Sequence, residues 1–101
     1  MTIIDPVLLL AFRLKGRCEW CGKYGAVDPH HLWCRGMGGG SRLDVSENLI
    51  ALCRECHGLV HAGQIVKADL LAVVAAREHC TQDDLVAFVL KLKKAPRRGI
   101  R

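Results

Sequence analysis

Cysteine and histidine are the residue types best able to hold a metal or move a proton, and this chain of 101 residues carries six of the first and five of the second. Four of the cysteines form two pairs, Cys18-x-x-Cys21 and Cys53-x-x-Cys56. Each pair offers two thiolates at the bite of one edge of a zinc tetrahedron, so two pairs complete a closed four-thiolate site with no open position. This predicts a structural zinc. The competing readings are a redox dithiol or two disulfides, and a disulfide framework depends on a secreted context. The opening MTIIDPVLLL has no basic segment ahead of its apolar run, which is the wrong order for a secretory signal and predicts a cytoplasmic protein. Cys34 and Cys80 stand alone and are expected to be small buried hydrophobes.

Four of the five histidines lie close to these pairs. His30 and His31 follow Asp28 after the first pair, and His57 and His61 begin at the second. Residues four apart share a helix face, so His57 and His61 can present two imidazoles to one ion. A zinc joining the two cysteine pairs would draw the Asp28–His31 segment towards that helix. Alternation along a strand sends His30 and His31 to opposite faces, so periodicity alone does not bring both to one point.

The elements that must position these groups can be read in outline. Asp5 followed by Pro6 opens a short N-terminal helix with an apolar side of Val7, Leu8, Leu10, Ala11 and Leu14, ended by Gly16. A turn over the first cysteine pair leads into an extended segment around residues 26–33. Residues 35–42 hold four glycines between Arg35 and Arg42; the segment reads equally as a plain surface loop or as a backbone that approaches a phosphate closely. A strand-like run over 48–53 precedes a helix over 54–61. Two more helices are expected, over 66–79 through Val66, Leu70, Val73, Val74 and the stem of Arg77, and from the Thr81–Asp84 cap through Leu85, Phe88, Val89 and Leu92. A single domain results, with a core over 17–62, a helical extension over 66–94 and a basic tail over 95–101.

Composition narrows the function classes. Half of the residues are hydrophobic, which argues against disorder, and no apolar run approaches the length of a membrane span, about 18 residues. The formal net charge is +5, and no acidic residue follows Asp84, whereas Lys91, Lys93, Lys94, Arg97, Arg98 and Arg101 do. A polyanionic partner suits that balance.

Asp28-Pro-His-His31, the Gly39-Gly40 pair, Asn48-Leu49, Leu52-Cys-x-x-Cys-His57 and His61 occur in an order and spacing that resembles the HNH endonucleases. The resemblance covers residues 17–62 and is to the small four-cysteine form frequent in phages and prophages. It implies a small α+β fold, a ββα-metal (His-Me) finger stabilised by the four-cysteine zinc site, with the N-terminal and two C-terminal helices outside it. It implies hydrolysis of DNA phosphodiester bonds, by nicking or double-strand cleavage. His31 would be the general base, Asn48 would hold the loop and orient that histidine, and His57 would bind a catalytic divalent metal. His30 and His61 match further ligand positions, and Asp28 is a ligand or a support for one. The working ion would be Mg or Mn by family, or Ni or Zn by the softness of a histidine-rich set. Arg35, Arg42, Arg54, Lys93, Lys94, Arg97 and Arg98 would contact phosphates. The implied partner is DNA, with a homodimer or a phage packaging or recombination protein beside it. The alternative is a zinc-bound binding module that does not cleave, which would need the cysteines but have no use for His31, Asn48, His57 and His61 at these spacings.

Overall fold

In a computed structural model of the chain, the residues described are 2–33 and 42–94, the side chain of residue 94 excepted. Asp5 caps the first helix, α1 (Pro6–Arg13), by accepting a hydrogen bond from the Leu8 amide at 3.0 Å, and Pro6 takes the first helical position, where no N–H is needed. The face that α1 buries differs from the expected one. Phe12 enters the core with Leu8 and Leu9 packed partly against it, whereas Val7, Leu10 and Leu14 are 78%, 53% and 74% exposed. Both sides of this helix are apolar, and the largest side chain, Phe12, decides which one docks.

Two antiparallel strands follow, β1 (Asp28–His31) and β2 (Leu49–Leu52), with Pro29 opposite Ala51 and His31 opposite Leu49. The expected extended segment over 26–33 is thus a strand only in its centre, and Asn48 lies in a 3-10 turn, Ser46–Asn48, rather than in β2. Pro29 has no N–H, so it can face Ala51 only where the two strands exchange no bond between that pair. The backbone groups of Ala51 and Leu49 therefore point to the outer edge of β2. Both residues are fully buried, and their polar groups need partners there.

Glu19 and Arg77 supply those partners. The Ala51 amide donates to the Glu19 carboxylate at 2.7 Å, and the Glu19 amide donates to the Ala51 carbonyl at 2.8 Å. Arg77 donates to the carbonyls of Leu49, at 2.9 Å, and of Ser46, and clasps both Glu19 oxygens at 2.8 and 2.9 Å. It also bonds Glu78 and lies over the Phe12 ring. The residue expected to lend only its aliphatic stem to an apolar stripe is thus an ionic hub.

The remaining helices are α2 (Arg54–His61), α3 (Lys67–Arg77) and α4 (Gln82–Lys94). The Schellman ends of α2 and α3 carry Gly63 and His79 in the left-handed position, with φ of 77° and 58°. The expected run to His79 therefore stops at Arg77. Thr81 caps α4 by accepting from the Asp84 amide at 3.0 Å. Leu70, Val74, Leu85 and Val89 are buried as the periodicity predicts, but Val66 and Phe88 are 51% and 42% exposed. Val66 caps α3 instead of entering it, and the burial of Leu85 and Val89 turns Phe88 to the edge of the α4 contact. The fold is a small α+β arrangement of four helices and a two-stranded antiparallel sheet among the described residues. None of its described helices is long and apolar enough to cross a membrane.

Candidate metal centre and histidine cleft

The four paired cysteines meet at the junction of the first turn, β2 and α2. Their sulfur atoms all lie within 4.8 Å of one another, and those of Cys21 and Cys53 are 3.9 Å apart. A tetrahedral zinc with bonds of about 2.3 Å requires sulfur–sulfur edges of about 3.8 Å, so the set is already close to a zinc-binding spacing. The two halves are built alike. The Cys21 amide donates to the Cys18 sulfur and the Cys56 amide to the Cys53 sulfur, each at 3.5 Å. In the first half the turn closes through Gly22, whose φ of 79° suits glycine and whose missing Cβ leaves room for the Arg17 guanidinium. In the second half the same N–H to sulfur bond caps α2.

Electrostatics favour a cation here. Burial opposes ionisation of Cys18, but the amides of Cys21, Cys53 and Trp20 outweigh it and bring this thiol down to about 6. Burial and the surrounding sulfurs push Cys56 well above its ordinary value. One thiolate forms readily, and the accumulation of further negative charge needs a positive ion to balance it. These four residues could hold a metal ion such as zinc. Cys80 is half-buried against the core, and Cys34 lies outside the described residues.

The histidines gather beside this centre. His30 projects from β1 towards α2, where its Nδ1 is 3.2 Å from Nε2 of His57. The rings of His57 and His61, one helical turn apart, have centroids 4.7 Å apart, and His30 lies 5.0 and 6.2 Å from them. Burial, then the neighbouring imidazoles, lower His30 to about 4, and burial followed by His61 lowers His57 against an opposing pull from Asp28. Neutral imidazole is the metal-binding form, so near neutral pH the pair is in the state a metal requires. Asp28 is largely exposed and pairs with Arg13 at 3.4 Å.

His31 faces elsewhere, as strand alternation requires. Its Nε2 is 2.7 Å from Oδ1 of Asp44, whose side chain is fully buried. Burial alone would raise the Asp44 carboxyl, but hydrogen bonds from Arg42, His31 and the Asp5 amide hold it below the ordinary carboxylate range. Arg42 clasps the same carboxylate at 2.9 and 3.1 Å, which commits to the protein a cation expected to serve phosphate. Despite their divergence, His30 and His31 both line one cleft of about 410 Å³, together with His61, Leu32, Val60 and Lys67. The Lys67 ammonium stands 4.1 Å above the Trp33 ring.

Asn48 is fully buried and joins the two ends of the segment that leaves β1. Its side-chain oxygen accepts from the Trp33 amide at 2.7 Å, and its amide group donates to the carbonyls of Trp33 and Leu43 at 3.1 and 2.9 Å. Arg54 is exposed at the start of α2, and Lys93 is partly buried near the end of α4. Arg35, Gly39, Gly40, Arg97 and Arg98 lie outside the described residues, as does the side chain of Lys94. Asp44, Glu19 and Arg77 are the positioning groups that sequence reasoning missed. A buried or half-buried acid looks like a surface acid in a sequence, and His31 lies 13 residues from Asp44 and Arg77 lies 58 from Glu19. Comparison with protein-family models, curated proteins and solved structures finds nothing that matches this chain.

Proposed function

We propose that the chain is a metal-dependent HNH-type DNA endonuclease, in which β1, β2 and α2 act as a ββα-metal finger. The observation that carries the reading is the cluster of three imidazoles, His30, His57 and His61, of which His30 and His61 line one cleft together with a fourth, His31, from the opposite strand face. A zinc-bound binding module would need the four cysteines but gains nothing from this convergence.

In this reading His57, His30 and His61 hold the divalent ion, with Asp28 in support. The bound ion would offset the charge that develops on a phosphate oxygen and on the departing 3′ oxygen. His31 accepts a proton from the attacking water, for which a neutral imidazole within hydrogen-bond reach is suited. Asn48 ties Trp33 to Leu43, so that His31 keeps its place relative to the cleft. Lys67, which lines the cleft, Arg54, Lys93 and the basic tail would add sequence-independent contacts to phosphate. Clamped by Asp44, Arg42 contributes less.

The test is nicking of supercoiled plasmid by the zinc-loaded protein with added Mg, Mn or Ni. His31→Ala should slow nicking by about 10²–10⁴-fold, the usual worth of a general base, while DNA binding persists. His57→Ala should also lose activity but regain part of it at higher metal concentration. His79→Ala, at the end of α3, should cut normally. DNA bound but left intact with every metal would favour the binding module, and full activity in His31→Ala would refute the assigned mechanism.

A further inference from the structure

We propose that Asp44 is the positioning residue for His31, fixing its tautomer and bracing it as it takes up a proton; this rests on the nuclease reading above. The Asp44 side chain is fully buried, and one of its oxygens meets Nε2 of His31 at 2.7 Å. An ionised carboxylate only accepts hydrogen bonds, so Nε2 must carry the hydrogen. That bond does two things. It sets the ring plane, and it leaves Nδ1 as the nitrogen whose lone pair can take a proton.

Asp44 is itself held on three sides. Arg42 donates to both of its oxygens, at 3.1 and 2.9 Å, and the Asp5 amide donates to Oδ2 at 2.8 Å. The neighbouring backbone is pinned as well, with the Ile3 amide donating to the Arg42 carbonyl at 2.7 Å and the Asp44 amide to the Ile3 carbonyl at 2.8 Å. A carboxylate fixed in this way reorients little when charge appears on its partner, which is the condition for electrostatic preorganisation. In the step it supports, the water oxygen bonds to phosphorus as the bond from phosphorus to the 3′ oxygen breaks. The water's proton passes to His31, the bonding pair leaves with the 3′ oxygen, and that oxygen is protonated from solvent. The imidazolium formed is then paired with Asp44.

The experiment measures plasmid nicking by the full-length, zinc-loaded protein with Mn, in wild type, Asp44→Asn, His31→Ala and the double variant. Asp44→Asn is expected to lower the maximal rate by about 10–100-fold, the usual effect of removing a partner that orients a histidine, with half-saturating plasmid concentration unchanged. Added to His31→Ala it should cost nothing more, because residues that act as one unit are not additive. A purely structural role would slow both backgrounds equally, and that result, or wild-type rates in Asp44→Asn, overturns the proposal. Should Asp44→Asn not fold, Asp44→Glu tests the same bond by displacing its oxygen, and the same loss and the same non-additivity are expected. A wild-type protein that leaves the plasmid intact with Mg, Mn and Ni alike refutes the nuclease reading and this inference with it; a cutting enzyme indifferent to Asp44 refutes this inference alone.

Discussion

Replacing Arg77 with Met keeps the length of the stem against Phe12 but removes every donor. The buried carbonyl of Leu49 loses its guanidinium partner, the half-buried carbonyl of Ser46 keeps only the Leu49 amide, and the Glu19 carboxylate keeps only the Ala51 amide. An unsatisfied buried carbonyl costs about 1–3 kcal/mol, and a hydrogen bond to a charged group is worth about 1.5–3 kcal/mol. The Arg77 and Glu19 side chains retain 19% and 13% exposure, so solvent relieves part of the loss. The lower end of each range then applies, one unsatisfied carbonyl and one charged bond, for a total of about 2–3 kcal/mol. Against a typical stability of about 5–15 kcal/mol this is a large fraction. In urea, with zinc-loaded protein at fixed free zinc, the unfolding midpoint should fall by about 2 M. Glu19→Gln should fall less, because Gln still accepts from Ala51. The double variant should be less destabilised than the two singles combined, by about 1–2 kcal/mol of coupling. A midpoint for Arg77→Met within about 0.3 M of wild type, or coupling below about 0.5 kcal/mol, would show that the hub contributes nothing.

Three further outcomes are expected. Protein purified without added metal should carry one tightly held zinc, and chelation or Cys53→Ser should unfold it, because metal affinity and folding are coupled in so small a core; a Cys53→Ser protein that melts like wild type refutes the site. Asn48→Ala removes three hydrogen bonds of a fully buried side chain and should destabilise by about 2–4 kcal/mol, whereas an unchanged melting curve would mean that Trp33 and Leu43 are held by other contacts. His79→Gly should raise stability by about 0.5–1 kcal/mol, since glycine adopts φ of 58° without the steric penalty that histidine pays, and a lower melting temperature would contradict the Schellman assignment.

What could be read from the sequence was local in origin. The two cysteine pairs, the Asp5-Pro6 start of α1, the Thr81 cap and both bounds of α2 each depend on residues within four positions of one another, where spacing rules operate. The histidine cluster was legible because the zinc pairing and the helical repeat together brought His30 to His57 and His61. The docked face of α1 was not, since Leu8, Leu9 and Phe12 compete with Val7, Leu10 and Leu14 on equal periodic terms and only the core selects. Nor were Arg77 and Asp44. Their roles come from partners far along the chain, and in the sequence Arg77 offered only its stem to an apolar stripe while Asp44 looked like an ordinary loop acid.

The arrangement around β2 has a consequence for how this small sheet meets other chains. Two-stranded sheets expose two outer edges, and an open edge is a template on which a foreign strand can pair and aggregation can begin. Here the outer edge of β2 is occupied by Glu19 and Arg77, which take the amide and carbonyl of Ala51 and the carbonyl of Leu49. The outer edge of β1 has Pro29 at the position that would otherwise offer an amide. An incoming strand would have to displace a salt-bridged pair on one side and forgo a hydrogen bond on the other. The residues that lock the site's scaffold thereby also keep the sheet from growing.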